Sequence, residues 1–281
     1  MDISEAITSA AETLRVAGVA NARREASSLL AFVLKKDAAF LIAHPEYELA
    51  AGETTDYAAA VARRSDREPF QHITGVQEFY GLEFEVSPDV LIPRPETEIL
   101  VEEAIAVLSS VGSPTFYEVG VGSGCISVSI LHRSPSATAV GVDISPGALS
   151  VAGRNAEKHD VASRLQLFRG DVFDAADQKF DLIVSNPPYI PDGKVDLLQP
   201  EVGGYDPHTA LFGGPDGLAI IRRIVAGAPQ FLKPNGTILI EIDFDQAAAV
   251  KELFDPQIWE VVEFLADLQG FQRIAKARLI R

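Results

Sequence analysis

Four consecutive residues, Asn186-Pro187-Pro188-Tyr189, have the types and spacing to act on a planar nitrogen. An amide or aromatic amine nitrogen is a poor nucleophile because its lone pair is delocalised, and two acceptors aimed at its N–H bonds favour localisation of that lone pair. The Asn186 side-chain oxygen and the Pro187 backbone carbonyl are the candidate acceptors. The prolines stiffen the loop, and Tyr189 offers a flat ring for stacking. The predicted catalytic residues are therefore Asn186, Pro187 and Tyr189, and all four residues are predicted to bind the substrate.

The position of this motif in the chain separates it from an ordinary proline-rich turn. It directly follows an apolar segment, Phe180–Ser185, that is typical of a buried strand. Ligands of open parallel sheets bind beyond the carboxyl ends of the strands. The motif is therefore predicted to lie at a ligand-binding edge.

A glycine-rich segment, Glu118-Val-Gly-Val-Gly-Ser-Gly124, lies where a predicted strand turns into a helix. Glycines at such a turn let a ligand approach the backbone closely. A dinucleotide-binding G-x-G-x-x-G pattern would need glycine at Cys125. The observed spacing instead resembles the loop of class I methyltransferases that holds S-adenosylmethionine, although a tight turn alone is the structural alternative. The predicted cofactor contacts of this loop are Gly120, Val121, Gly122, Ser123 and Gly124.

Two acidic residues follow the next two predicted strands. Asp143 can accept hydrogen bonds from the two hydroxyls of a ribose, while its structural alternative is to cap the following helix. Asp171 and Val172 occupy the position that contacts adenine in class I methyltransferases. A simple turn role for Asp171 is equally open. Asp143, Asp171, Val172 and Asn186 complete the predicted cofactor site.

The elements that must position these motifs follow a strand–helix alternation from residue 115 onward, which favours an α/β fold with a parallel sheet covered on both faces. Helices are predicted over residues 124–133, 146–158 and 216–232. Two C-terminal strand candidates bring the predicted sheet to seven strands. The predicted strands are Phe116–Val121, Thr138–Asp143, Leu165–Arg169, Phe180–Ser185, Thr237–Ile242, Trp259–Phe264 and Ile274–Ile280.

The N-terminal part of the chain has a different pattern. Apolar residues at helical spacing predict a small helical bundle over residues 1–71, in which Asn21 is expected to cap the second helix. In residues 72–93, apolar and polar side chains alternate over part of the segment, and Gly81 could form a turn. This pattern predicts a β-hairpin or linker. Residues 94–281 are predicted to form the domain with the sheet.

The composition narrows the classes of partner. The net charge is −16 and the sequence pI is about 4.7, whereas nucleic-acid binding normally needs a basic face. The lone Cys125 allows no intrachain disulfide, and the histidines lack metal-ligand spacing, so no metal is expected. Because no signal peptide or long apolar run is found, we expect a cytoplasmic protein that does not bind a membrane. The negative charge leads us to expect no nucleic-acid partner. We also expect a monomer.

Over nearly its whole length, the sequence resembles the release factor N5-glutamine methyltransferase family. The segments that carry the resemblance are FYGLEFEVSPDVLIPRPETEILVEEA, EVGVGSGCISVSI, GDVFDAADQKFDLIVSNPPYIP, EVGGYDPHTALFGGPDGL and, more loosely, EIDFDQ. The resemblance implies a class I methyltransferase (Rossmann-like) domain, S-adenosyl-L-methionine as cofactor and the glutamine of the Gly-Gly-Gln loop of a peptide chain release factor as substrate. It also implies that the helical N-terminal domain helps to dock the release factor.

Some residues depart from the family pattern or have open roles. Asp243 stands where the family commonly has glycine, and Val121 and Cys125 replace small residues of the glycine loop. For Arg94, Glu96 and Glu98, a lid or hinge beside the cofactor and a capped helix start with an ion pair are equally open. The same holds for a substrate-loop role or a surface-loop role of Glu201, Asp206 and His208.

Three other functions remain as alternatives. A ribosomal-protein glutamine methyltransferase would use the same chemistry. A nucleic-acid amino-methyltransferase shares the N-P-P-Y element, but the negative charge argues against it. A binding module built on an inactive methyltransferase fold is disfavoured by the intact N-P-P-Y motif and glycine loop.

Overall fold

The computed structural model describes residues 1–280, which form two compact units. The first unit contains Met1–Val76 and a later segment, Gln199–Tyr205. The second contains Gln77–Leu198 and the chain from Asp206 onward. The domain boundaries predicted after residues 71 and 93 stay predictions. No helix within residues 1–280 is both long and apolar enough to cross a membrane.

The first unit is a helical bundle, as the apolar spacing predicts. Asp2 caps the first helix through a reciprocal bond pattern with Glu5, and apolar side chains such as Leu14 and Leu29 are fully buried. The expected cap at Asn21 is wrong: Asn21 precedes the second helix in a left-handed conformation, and its side chain makes no cap hydrogen bond. The helices are α1 (Ile3–Val16), α2 (Ala22–Leu34), α3 (Ala38–Ala43), α4 (Ala51–Ser65) and α5 (Phe70–Thr74).

The second unit begins with the predicted hairpin. Tyr80 and Gly81 form its turn with φ angles of 54° and 73°, which suits the tight connection of two antiparallel strands. The backbone N–H of Tyr80 donates to Glu98 Oε1 at 2.7 Å. The strands are β1 (Val76–Phe79) and β2 (Leu82–Glu85).

A seven-stranded sheet forms the centre of the second unit, which confirms the predicted α/β class I methyltransferase fold. The strands are β3 (Thr115–Val119), β4 (Thr138–Asp143), β5 (Leu165–Arg169), β6 (Phe180–Ser185), β7 (Leu232–Glu241), β8 (Trp259–Ala266) and β9 (Gln272–Leu279). Their order in the sheet is β5-β4-β3-β6-β7-β9-β8. The first five strands in this order pair in parallel, and β9 pairs antiparallel with both β7 and β8.

Helices connect these strands, and apolar clusters lie on both faces of the sheet. The strand expected to reach residue 121 ends at Val119, because the left-handed Gly120 turns the chain out of the sheet. The short helix Pro200–Tyr205 belongs to the first unit by its contacts. The remaining helices are α6 (Glu98–Leu108), α7 (Cys125–Arg133), α8 (Pro146–Lys158), α9 (Pro200–Tyr205), α10 (His208–Leu211), α11 (Ala219–Phe231) and α12 (Ala247–Lys251).

Candidate functional site

The glycine loop joins β3 to α7 in a conformation that other residues rarely adopt. Gly120, Gly122 and Gly124 have φ angles of 74°, 55° and 81°. A Cβ atom at Gly124 would lie 3.1 Å from the Cβ of Ala152 in α8. Glycine at this position therefore also permits the close packing of the loop against α8.

Asp143 connects the carboxyl end of β4 to this loop. Its Oδ2 accepts a hydrogen bond from the Gly122 backbone N–H, and its Oδ1 accepts one from Ser145, both at 2.9 Å. Ser145 itself caps α8 by accepting from Ala148. Each carboxylate oxygen of Asp143 keeps a further lone pair, so the backbone contacts leave capacity for a ribose hydroxyl. The ribose role stays a prediction.

Val172 follows β5 in a strained conformation. Its φ is 50° although it is β-branched, and its side chain is buried. Such strain costs about 1–3 kcal/mol and persists only where the surroundings enforce it. Tyr117 supports the backbone here, because its hydroxyl donates to the Val172 carbonyl at 3.0 Å. Asp171 is exposed and pairs with Arg223 at 2.9 Å.

The Asn186–Tyr189 loop follows β6. The Asn186 Nδ2 donates to Thr97 Oγ1 at 3.2 Å, while Pro187 is buried. The Tyr189 hydroxyl donates to Glu241 Oε1 at 3.4 Å, and its ring packs against the apolar cluster of the sheet. This packing uses the ring that the sequence assigns to substrate stacking, so that role stays a prediction without support from the geometry.

Two glycines hold this loop in place, and neither was predicted from the sequence to have a role. A Cβ atom at Gly213 would lie 2.3 Å from the Pro188 carbonyl oxygen, and one at Gly217 would lie 2.1 Å from that of Tyr189. The Gln246 Nε2 donates to the same Tyr189 oxygen at 2.9 Å. The glycine-rich segment FGGPDG was the signal, but its partner is remote in the sequence and could not be named from it.

One cavity in the second unit brings most of the predicted site residues together. The glycine loop, the end of β4 and the Asn186 loop all contribute to its wall. Gly124 and Tyr189 are the two predicted site residues that do not line it. The predicted residues in the wall are Gly120, Val121, Gly122, Ser123, Asp143, Asp171, Val172, Asn186, Pro187 and Pro188.

The wall also contains residues from the segment between β2 and α6, which the sequence did not place in the site apart from the open lid or hinge role of Arg94. Among them are Leu91, Arg94 and Thr97. Arg94 Nη2 lies 2.6 Å from Asp206 Oδ2. The ion pair expected near the start of α6 therefore exists, but its acid is Asp206, which was a candidate for another role.

Among the described residues of this unit, three buried carboxyl groups have raised pKa values because burial disfavours their charged forms. The pKa of Glu118 rises to about 8, although the Ser127 hydroxyl and backbone N–H both donate to it. Burial raises the pKa of Glu241 to about 7. For Asp206 the rise is to about 6, and the positive charge of Arg94 opposes it.

Glu201, His208 and Asp243, whose roles were also open, have structural partners. In the first unit, Glu201 accepts from Arg64 Nη2 at 3.1 Å and from Arg67 Nη2 at 2.7 Å. The His208 ring meets Phe212 edge-on at 5.3 Å. Asp243 begins a turn by accepting from the Phe244 N–H at 2.8 Å. The aspartate is thus accommodated in the position where the resemblance leads one to expect glycine.

Comparison with family models identifies two regions of the chain. Residues 5–75 match the PrmC N-terminal domain, and residues 97–199 match the methyltransferase small domain. These matches correspond to most of the first unit and to the part of the second unit that carries the glycine loop and the Asn186 loop.

Known proteins resemble the chain over almost its full length. A release factor glutamine methyltransferase from Geobacter sulfurreducens is 44% identical over 263 residues, which are 93% of this chain and 91% of that protein. One of the same name from Koribacter versatilis is 39% identical over 280 residues, which are 99% of each chain.

A solved structure supports the fold alone. A methyltransferase from Pyrococcus furiosus superposes with a TM-score of 0.52 at 17% identity, covering 72% of this chain and 90% of that chain. With the cavity described above and the full-length relatives, the conclusion is direct: the chain belongs to the release factor glutamine methyltransferase family, and it is a methyltransferase.

Proposed function

We propose that this protein transfers a methyl group from S-adenosyl-L-methionine to the side-chain amide nitrogen (N5) of the glutamine in the Gly-Gly-Gln loop of peptide chain release factors. The observation that carries the proposal is the cavity, in which Asn186 and Pro187 face the same space as the glycine loop and Asp143. A methyl donor and a planar nitrogen would need to meet in such a space.

The wall fits the proposed cofactor. The left-handed glycines Gly120 and Gly122 have no atom within 4 Å of a built Cβ, so a ligand can approach the loop backbone closely. Asp143 would accept from the ribose, and Val172 with Asp171 would contact the adenine. When bound, S-adenosylmethionine supplies an electrophilic methyl group.

The Asn186 loop would prepare the nucleophile. In our proposal the Asn186 Oδ1 and the Pro187 carbonyl oxygen each accept a hydrogen bond from one N–H group of the glutamine amide. These bonds favour localisation of the nitrogen lone pair. The loop would do this with little reorganisation, because Gln246, Gly213 and Gly217 hold its following backbone. The product nitrogen can then lose its extra proton to water.

Support for the substrate comes from the relatives. The Geobacter sulfurreducens and Koribacter versatilis proteins carry the name release factor glutamine methyltransferase, and the chain spans nearly their full length. The helical unit, in which residues 5–75 match the PrmC N-terminal domain, would help to dock the release factor. We further propose that the protein acts as a cytoplasmic monomer without nucleic-acid partners.

A transfer assay tests this proposal. Labelled S-adenosylmethionine would be offered with a purified release factor, its Gly-Gly-Ala loop variant, a ribosomal protein pool and a mixed oligonucleotide pool. We expect label on the release factor and none on the variant. Label only on a ribosomal protein or only on nucleic acid would move the function to that substrate.

The cofactor site gives a separate prediction. Asp143→Ala should weaken binding of S-adenosylmethionine by about 1–3 kcal/mol, since a hydrogen-bonded carboxylate is lost. It should also loosen the loop, because Gly122 loses its partner. Asp143→Asn is the matched control and should lose less, because its amide keeps one acceptor oxygen. Calorimetry measures both, and wild-type affinity in Asp143→Ala would remove the ribose assignment.

A further inference from the structure

Asn155 is a polar side chain that α8 holds fully buried, at 0% exposure. A buried amide destabilises a protein unless its donors and its acceptor find partners. The Asn155 Oδ1 accepts from the Glu85 backbone N–H at 2.7 Å. Its Nδ2 donates to the carbonyl oxygens of Glu85 at 3.0 Å and of Ser123 at 2.9 Å. The amide therefore joins α8 to two other segments, the end of β2 and the glycine loop.

These three hydrogen bonds fix the orientation of the Asn155 amide. Its oxygen faces the one donor among the three backbone groups, and its two Nδ2 hydrogens face the two carbonyl oxygens. A flipped amide would place its NH₂ group against the Glu85 N–H and its oxygen against both carbonyl oxygens, so all three bonds would be lost. Asn155 thus makes this connection in a single arrangement.

The Ser123 end of the connection lies where the glycine loop packs closely on α8. The next residue, Gly124, permits this approach, because a Cβ atom there would lie 3.1 Å from the Cβ of Ala152. Ala152 and Asn155 are three residues apart and so lie on one face of the helix. The same face of α8 therefore receives the loop and donates a hydrogen bond to it.

Asn155 adds to the anchor that Asp143 provides. Asp143 accepts from the Gly122 N–H at the end of β4, and Asn155 donates to the carbonyl oxygen of the following residue, Ser123. Side chains of two different elements thus fix an N–H and a carbonyl of consecutive residues. Because Gly122 and Ser123 line the cavity, the direction of their peptide groups sets what the loop presents to a ligand.

The Glu85 end of the connection fixes a second part of the cavity wall. Glu85 ends β2, and the segment that follows it contributes to the wall. Val86 and Val90 of this segment form one buried cluster with Ala148 and Val151 of α8. The helix therefore holds both the glycine loop and the segment after β2, and Asn155 contacts the two at once.

We propose that Asn155 is a positioning residue that preorganises the cavity for S-adenosylmethionine by holding the glycine loop and the end of β2 on α8. It acts through Ser123, since Asn155 is not among the described residues that line the cavity. A ligand loses less binding free energy when the loop that receives it is already ordered. The inference rests on the proposed function, in which this cavity takes the methyl donor, and deepens it by naming a side chain that shapes the wall from behind.

Asn155→Ala tests this role because it removes all three hydrogen bonds. We expect the Kd for S-adenosylmethionine, measured by calorimetry, to rise about 10-fold. The loop would then spend part of its time in conformations that do not bind, and the apparent affinity falls with the competent fraction. With saturating S-adenosylmethionine, kcat for methylation of a release factor should stay within about threefold of the wild type, because no group at the reacting atoms is changed.

Two controls separate positioning of the loop from a general loss of stability. Arg154→Ala removes the exposed ion pair that the neighbouring residue of α8 makes with Glu85 at 2.8 Å, and it should keep the wild-type Kd because this pair does not reach the loop. Val161→Ala opens space at a buried position that does not line the cavity. It should lower the free energy of unfolding, measured by denaturant titration, and leave the Kd unchanged.

Asn155→Asp keeps the inference testable if Asn155→Ala does not fold. It retains the shape of the side chain and an acceptor for the Glu85 N–H, but it lacks the NH₂ group that holds Ser123. We expect its Kd for S-adenosylmethionine to rise by at least about threefold. In the cofactor-free variant, hydrogen exchange should quicken at the glycine-loop amides and not across the sheet, a pattern that a global loss of stability would not produce.

The outcomes separate this inference from the proposed function. A wild-type protein that does not bind S-adenosylmethionine overturns both. Binding by the wild type with a raised Kd in Asn155→Ala, but without methyl transfer to a release factor, overturns the proposed substrate and supports the positioning role. A wild-type Kd in a folded Asn155 variant, or an equal rise of the Kd in Val161→Ala, overturns the positioning role alone.

Discussion

Asn186→Ala is expected to lower kcat for release factor methylation by about 100- to 1000-fold, the loss seen when one preorganised group that stabilises a transition state is removed. Alanine leaves one N–H of the glutamine amide without its acceptor, so the nitrogen lone pair stays delocalised. Asn186 lines the cavity beside the glycine loop, but its side-chain bond is to Thr97. We therefore expect the rate to suffer much more than cofactor binding.

The comparison of kcat with cofactor affinity makes this prediction specific. Single-turnover transfer gives the rate, and calorimetry with S-adenosylmethionine gives the Kd. The loss in rate should exceed the loss in affinity by more than about tenfold. Equal losses would mean that Asn186 mainly binds the cofactor, and a variant with wild-type kcat would remove the acceptor from the mechanism.

Gly217→Ala should have the second large effect. Gly217 has a φ of 75°, and an added Cβ would lie 2.1 Å from the Tyr189 carbonyl oxygen. The left-handed backbone costs about 1–2 kcal/mol in alanine, and overpacking against a held backbone adds about 1–3 kcal/mol. The Asn186–Tyr189 loop must shift or the protein must lose stability, so we expect lower kcat together with a lower free energy of unfolding.

Gly81→Ala is the matched control for the backbone term. Gly81 has a φ of 73°, and a Cβ there would meet nothing within 4 Å. It should lose only the conformational part of the stability and should keep kcat. Denaturant titration and the transfer assay compare the two variants. If both variants lost the same stability and kept the same kcat, the close contact with Tyr189 would have no functional weight.

Part of the sheet could be predicted because its inner strands are largely buried. Apolar runs predicted the bounds of β4 and β6 correctly, and the proline after Ser145 marked the start of α8. The bounds of the edge strand β5 were also predicted correctly, although most of its residues are partly or fully exposed. The glycine loop and Asp143 were predicted to lie together because both follow parallel strands, whose carboxyl ends meet at one edge of the sheet. The hydrogen bond between Asp143 and Gly122 is consistent with this rule.

The remaining features depend on contacts between segments remote in the sequence. Thr97 reads as part of a helix start until the fold places it beside Asn186. Gly213 and Gly217 read as turn glycines until the Pro188 and Tyr189 carbonyls are placed against them. The order of the C-terminal strands, with β9 between β7 and β8, is likewise set by pairing rather than by any local pattern.

Tyr189 shows that the type of a residue does not by itself assign its role. Its ring suggested stacking because an aromatic side chain in a loop often serves a ligand. In the fold its ring packs on the sheet cluster and its hydroxyl reaches Glu241. Residue type identified Tyr189 as important to the loop, but only the fold shows that it contacts the apolar cluster of the sheet and Glu241.

The most direct test of the central claim is mass spectrometry of a release factor after incubation with the protein and S-adenosylmethionine. We predict a gain of one methyl group that fragmentation places on the side-chain amide of the glutamine in the Gly-Gly-Gln loop, and no detectable gain with the Asn186→Ala variant within the time of one wild-type turnover. A methyl group on another residue, or an unmodified release factor after incubation with folded, cofactor-binding protein, would contradict the account.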